Sequence, residues 1–506
     1  MAINQIKLGG ILSYVSLGVS NVLAILYTPF MLRMMGQSEY GLYALVLSIV
    51  SYLALMDFGF GATIVRYIAL FKSKNQTEKL PSLYGMFISL YSIIGLLCFV
   101  IGMVLYFKTD AFFGATFNAV ELEKARMMIL IIVVYLSISF PFSIFGSIII
   151  ANEKFIFQKI LTIIKALLTP MLMIPLLLMG YRSVAMIVVA VVIGILIIVS
   201  NVWFCFYKIK IKIAFTNFDF PLLKQIFWFS LFVFIKMVLE RVYWSSGQFI
   251  LGATIGTVSV AIFSIALQMK GYYESFSQAI SGLFLPRVTS MVANNDSSLQ
   301  ISEIFVKVGR IQFHIIGYIL CVYVLIGQQF IVFWAGKNYE SAFDMSLFIM
   351  VPYTIPLIQS IGYSLVQAYN VQKPLILIFL VTTILTIVIS FLLIDKFGAK
   401  GCAIALSIAI IVGEILLMNW FYYKQLGINI PLFWKEISKI AIPMIAISVL
   451  FHFFKSLQAG NTLYYLLLNL IVFSSIYMPF IYWVGMNSYE KQLIFSIFKK
   501  NKINKI

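Results

Sequence analysis

The chain has 506 residues, 62% of them hydrophobic and only 11% charged, with a formal net charge of +18 and a mean hydropathy of +1.02. A soluble domain carries about a quarter charged residues, so this composition excludes a soluble globular protein and defines a polytopic membrane protein. The basic excess would suggest nucleic acid in a soluble chain; here it reads as Lys and Arg in loops flanking membrane helices, and no nucleic-acid partner is expected.

Taken in chain order, about fourteen apolar segments are long enough to cross roughly 30 Å of hydrocarbon. Their centres lie near Leu23, Ser51, Ile94, Val134, Leu168, Val191, Ile235, Met269, Ile319, Ile358, Thr383, Ile408, Ser448 and Ser474. The first follows "MAINQIKLGG" and runs past the length of a cleavable signal, so it is expected to be an uncleaved insertion signal. The connecting loops are short. With the N-terminus inside, about 22 of the 36 Lys and Arg fall on the cytoplasmic side and about 9 outside. That bias places both termini in the cytoplasm, and the tail "SYEKQLIFSIFKKNKINKI" reads as a basic amphipathic segment or a basic disordered end.

The chain also repeats at an offset of about 215 residues. "VWFCFYK" ending at Lys208 answers "NWFYYK" ending at Lys424, and Gly41 in "EYGLYAL" answers Gly256 in "TIGTVSVA". Each half would hold six spans, and an even number makes the repeats parallel. The expected organisation is two six-helix lobes, 1–216 and 217–430, followed by two further helices and a basic tail over 431–506.

Ionisable groups inside spans are costly and face protein or water-filled paths. The second span holds Asp57 and Arg66 with Gly59 and Gly61 between them. The seventh holds Lys236, Glu240 and Arg241, the eighth Lys270 and Glu274, and the twelfth Glu414. At about 1.5 Å per residue, Lys236 lies roughly 21 Å above the inner end of its span, and Lys270 roughly 21 Å below the outer end of its own. The cations then form a ladder from inside to outside: Arg66, Lys270, Lys236, Arg241. Lys236–Glu240 and Lys270–Glu274 are i,i+4 couples, which read equally as structural ion pairs or as parts of a polar path. Asp57, Glu240, Glu274 and Glu414 are candidates for ion coupling or charge partnership. Gly59 and Gly61 suit a bend or a close approach.

Other chemistry finds no support. The four cysteines sit in apolar runs, the two histidines stand alone, and neither set has metal-ligand spacing. No Gly-rich phosphate loop with a lysine occurs in the loops, and the Asp57–Phe58–Gly59 triplet matches a kinase motif by letters only. No loop carries an acid pair or nucleophile arrangement. No cofactor and no enzymatic activity are expected.

The stretch "LSYVSLGVSNVLAILYTPFMLRMMGQSEYGLYALVLSIVSYLALMDFGFGATIVRYIALF" resembles the N-terminal signature of the polysaccharide transport family. "TPFMLRMMG", "SEYGLY" and "DFGFG…VRY" carry most of the likeness. That family includes O-antigen and capsule repeat-unit flippases of the multidrug/oligosaccharidyl-lipid/polysaccharide exporter superfamily. The resemblance implies an all-α fold, with two six-helix lobes in a V and spans one, two, seven and eight lining a central cleft.

It further implies translocation of undecaprenyl-diphosphate-linked oligosaccharide across the bacterial cytoplasmic membrane by alternating access, for O-antigen, lipopolysaccharide, capsule or exopolysaccharide synthesis. Arg66, Lys236, Arg241 and Lys270 would then meet the diphosphate. Partners would be the lipid-linked substrate, membrane lipids, a polysaccharide polymerase and a chain-length regulator. A cation-coupled multidrug extruder of the same fold and a lipid II flippase are the alternatives; an acid-dominated cleft would suit the former better.

Overall fold

The computed structural model describes residues 2–216, 220–294, 296–369, 371–455 and 463–498, and every regular element among them is helical. The chain divides into two compact units, Met1–Ser264 and Ile265–Ile506. The division falls within a single helix, Thr257–Ala293, away from the repeat boundary read at 216.

The first unit contains α1 (Ala2–Met35), α2 (Gln37–Ala54), α3 (Phe60–Ser73), α4 (Leu80–Phe107), α5 (Thr109–Phe113), α6 (Ala119–Ala151), α7 (Phe155–Leu178), α8 (Ser183–Trp203) and α9 (Phe220–Thr254), and the start of α10 (Thr257–Ala293). The second continues with α11 (Ser298–Trp334), α12 (Ala342–Ile358), α13 (Ile361–Ala368), α14 (Gln372–Phe397), α15 (Ala399–Ala409), α16 (Met418–Lys424), α17 (Ile430–Lys455), α18 (Leu463–Val484) and α19 (Ser488–Phe498). Each of the fourteen expected centres falls inside a helix. Helices are forced by the solvent: hydrocarbon offers no partner for backbone N–H and C=O, so each segment must satisfy its own.

Among the described residues, ten helical stretches are long and apolar enough to cross a membrane, or eleven if the bent pair α12 and α13 counts as one span. The three remaining centres lie in α9, α10 and α17. These helices carry Lys236, Glu240 and Arg241; Lys270, Glu274 and Arg287; and Lys435, Glu436 and Lys439.

Local sequence sets several helix starts. Asn118 caps α6 and Ser297 caps α11, each with a reciprocal bond from the third helical residue, Glu121 or Gln300. In the first unit, Leu42, Ile64, Phe87, Ile144 and Ile148 are fully or almost fully buried. At the N-terminal end of α2, Glu39 accepts hydrogen bonds from Lys124 and from the hydroxyl and N–H of Ser183. It ties α2 to α6 and α8.

In the second unit, Leu325, Ile440, Met444, Phe473 and Tyr477 form a core between α11, α17 and α18. The C-terminal α19 is fixed by charge. The buried Arg310 donates to both oxygens of Glu490, at 2.6 and 2.9 Å, and to the backbone carbonyls of Glu436 and Gly485. His314 Nε2 lies 3.2 Å from the same Glu490 carboxylate.

Candidate functional site

The second span is not one continuous helix. After α2 ends, Leu55–Asp57 form a 3₁₀ turn, and Phe58 (φ 52°) and Gly59 (φ 69°) both take the left-handed conformation before α3 begins. Glycine adopts it at no steric cost, whereas a left-handed phenylalanine needs its surroundings to hold it. They do: the Phe58 ring stacks on Phe234 of α9 at 4.1 Å, and Phe60 meets Tyr91 of α4 edge-on at 6.1 Å.

The break releases the first N–H groups of α3 from helical partners. Asp57 supplies one acceptor. Its carboxylate takes the Gly61 N–H and the hydroxyl of the fully buried Tyr91, at 2.7 Å. Among the described residues no cation lies within ion-pair distance of Asp57. Gly61 sits where a methyl group would stand 3.3 Å from Ser147 Oγ of α6, a close contact. Arg66 lies five residues, about one and a half turns, further along α3 and is exposed.

On α9, Lys236 Nζ lies 3.0 Å from Glu240 Oε2, and both side chains are partly exposed. Arg241 is exposed on the same helix, near Tyr52 of α2. The Phe58–Phe234 stack thus brings the α2–α3 break against the helix that carries three of the charged candidates. All these contacts lie within the first unit.

In the second unit, Lys270 is only 7% exposed. Its ammonium lies 2.7 Å from Glu274 Oε2 and 4.5 Å from the centroid of the Tyr353 ring on α12. A carboxylate and a ring face together offset the desolvation of a buried cation. Glu414 is buried in a π-helical turn, Ile410–Leu417, and accepts the Tyr363 hydroxyl at 3.0 Å. π-Turns are rare and frequent at functional positions.

Both i,i+4 couples read from the sequence are therefore formed. Tyrosine is the recurrent partner that the sequence reading missed. Tyr91, Tyr353 and Tyr363 meet Asp57, Lys270 and Glu414 across 34, 83 and 51 residues. The only signal available was the presence of tyrosines deep in apolar runs, and interface belts draw on the same residue. Among the described residues, no group of three or more His, Cys, Asp or Glu could hold a metal ion.

Helices of this number, length and apolarity, interrupted by buried charge and by broken or π-helical turns, define a multi-pass membrane protein of transporter type. The profile of a family described as polysaccharide biosynthesis protein matches residues 7–292, and the chain belongs to that family. A Shigella flexneri protein described as "Putative O-antigen transporter" is 22% identical over 416 residues, covering 81% of this chain and 96% of its own.

Two solved structures share the fold. A lipid II flippase, MurJ, in an inward closed conformation superposes with a TM-score of 0.73 at 18% identity, covering 96% of this chain and all of its own. An inward-facing multidrug resistance transporter of the MATE family superposes with a TM-score of 0.58 at 14% identity, covering 80% of this chain and 93% of its own. The relative and both neighbours are named as transporters or flippases, not enzymes.

Proposed function

We propose that the protein is a flippase that moves undecaprenyl-diphosphate-linked oligosaccharide repeat units across the bacterial cytoplasmic membrane by alternating access. Residues 1–216 and 217–430 are its two repeats, and both termini are cytoplasmic. The observation that carries the reading is a set of basic side chains on membrane helices in a chain of the polysaccharide biosynthesis family. Arg66 and Arg241 are exposed, Lys236 is partly exposed, and Lys270 is held in place by Glu274 and Tyr353.

A diphosphate is a divalent or higher anion, and cations at successive depths offset the cost of carrying it through a low-dielectric region. Arg66 and Arg241 present donor forks matched to phosphate oxygens, and Lys236 and Lys270 present point charges. Asp57, Glu240, Glu274 and Glu414 then set the charge balance along the path or take up a coupling ion. The break at Phe58–Gly59 gives the second span a point at which to bend. The product would feed a polysaccharide polymerase and its chain-length regulator.

The test is flipping of undecaprenyl-diphosphate-linked oligosaccharide in proteoliposomes by the full chain, Arg66→Ala and Lys236→Ala. Both variants should fold and show at least a tenfold slower rate. Wild-type rates in both would make these cations structural. Lipid II and an organic cation serve as competing cargoes. Faster export of the organic cation than of the oligosaccharide lipid would replace the reading with a multidrug extruder, and preference for lipid II would replace it with a lipid II flippase.

A further inference from the structure

Helices α6 and α8 run parallel and in register. Glu39 links Lys124 and Ser183 at their N-terminal ends. Midway, Gly194 packs so closely on Tyr135 that a methyl group there would clash with the Tyr135 hydroxyl oxygen. Near the C-terminal ends, Cys205 Sγ donates to the Phe145 carbonyl at 3.4 Å. That close approach leaves a groove of about 720 Å³ on the outer surface of the pair, running from Leu130 and Val191 to Phe142 and Trp203. Its walls are almost wholly apolar, and Ile138, Ile195 and Val199 are all about half exposed.

The groove lies mostly in one leaflet. Arg182 and Lys208 are 26 residues apart, a rise of about 39 Å if helical, close to the headgroup-to-headgroup width of a bilayer. Val191 to Trp203 covers about 18 Å of that rise, about two thirds of it in the half nearer Lys208, against about 15 Å for half the hydrocarbon thickness. At this end the Trp203 and Tyr207 rings stack at 5.3 Å, and Lys208 Nζ lies 5.4 Å from the Tyr207 ring centroid. Lys208 is exposed and, among the described residues, has no carboxylate within ion-pair distance. Lys210 is exposed just beyond it. An apolar channel of leaflet length that opens on aromatic residues and uncompensated cations matches a lipid with a phosphate headgroup.

We propose that this groove is a binding site for an anionic diacyl phospholipid. An acyl chain lies between α6 and α8, and the phosphate sits at Trp203 and Lys208. Length and charge argue for this occupant: at about 18 Å the groove matches one acyl chain and is too short for a 55-carbon isoprenoid chain laid out straight, and its mouth is cationic. The site is separate from the cations assigned to the flipping path. In the topology proposed above, the leaflet is the cytoplasmic one.

The experiment uses full-length protein in proteoliposomes containing photoactivatable phosphatidylglycerol or photoactivatable phosphatidylcholine, with cross-linked peptides mapped. Phosphatidylglycerol should label 130–142 and 191–203 several-fold above the lipid-facing surface of α4. Val199→Trp, which fills the groove from an exposed position, should abolish the excess for both probes. Lys208→Ala should lower phosphatidylglycerol labelling about fivefold, the factor one interfacial lysine supplies, and leave phosphatidylcholine unchanged. Equal labelling by both probes in the wild type, or labelling indifferent to Val199→Trp, would reduce the groove to ordinary lipid contact. Displacement of phosphatidylglycerol by stoichiometric undecaprenyl phosphate would assign it to the carrier lipid and overturn the proposal. Flipping rates play no part in the readout, so failure here leaves the transport reading standing.

Discussion

Asp57 shows how one polar residue can belong in hydrocarbon for structural reasons. The helix break at Phe58–Gly59 exposes backbone donors, and a bare N–H at membrane depth costs several kcal/mol. The carboxylate meets the Gly61 N–H and the Tyr91 hydroxyl together. Asp57→Ala leaves both donors without their acceptor, at about 1–3 kcal/mol each. Tyr91→Phe removes one donor and keeps the ring, at about 1 kcal/mol. Asp57→Asn keeps an acceptor oxygen for the Gly61 N–H, and its amide N–H can donate to the Tyr91 oxygen in turn, so both contacts survive. Thermal unfolding of the purified variants should therefore rank them Ala, Phe, Asn from the largest loss to the smallest. An unchanged melting temperature in Asp57→Ala would show that the carboxylate does not hold the break, and would return Asp57 to a purely ion-coupling role. Arg66, nine residues away and exposed, has no part in this contact, so the acid and base that look like a couple in the sequence separate into different roles.

At the scale of elements, α19 is the segment whose attachment rests most plainly on charge. Burial alone would raise the Glu490 carboxyl. Hydrogen bonds from His314 and Arg310 outweigh it and lower the pKa from 4.5 to about 2. The folded value lies below the unfolded one, so the stabilisation is complete above about pH 4.5 and is lost as pH falls from there through about 2. Hydrogen exchange of the 488–493 amides, corrected for intrinsic rate, should show stronger protection in wild type than in Glu490→Gln near neutral pH. The gap should be constant above about pH 4.5 and narrow as pH is lowered from there towards about 2. A gap that stays constant with pH would mean that apolar contacts, not the Arg310–Glu490 pair, dock the helix. None of this was legible in the sequence, because Arg310 and Glu490 are 180 residues apart and each reads alone as a cytoplasmic-loop charge. What was legible follows from periodicity. Apolar runs of membrane length placed all fourteen centres in helices, and i,i+4 spacing paired Lys236 with Glu240 and Lys270 with Glu274. The break in the second span was half legible: Gly59 announced a bend, but the left-handed Phe58 depends on the Phe234 ring, which pattern cannot foresee.

The whole molecule turns on its orientation, because a flippase reading needs the substrate to enter from the side where it is made. The sequence argues this by asymmetry alone: Lys and Arg concentrate in alternate loops, and such loops resist translocation. The structure adds a ruler. α4 has 28 residues, about 42 Å of rise, enough to hold its two ends on opposite surfaces. Before it lies the basic loop containing Lys74, and after it the connection containing Ala115; both residues are exposed. The native thiols interfere little, since Cys98, Cys205 and Cys402 are buried and Cys321 is partly so; replacing all four with Ser gives a clean background. In that background, Ala115→Cys should react with a membrane-impermeant maleimide in intact spheroplasts. Lys74→Cys should react only after permeabilisation. The reverse pattern would put the basic loops outside, against the charge rule, and Arg66 would then stand at the exit of the proposed path instead of its entrance. Labelling of both positions from one side would deny that α4 spans at all. Since α4 lies between the Asp57 break and the charge-linked α6, the six-span repeat of the first half would fail with it.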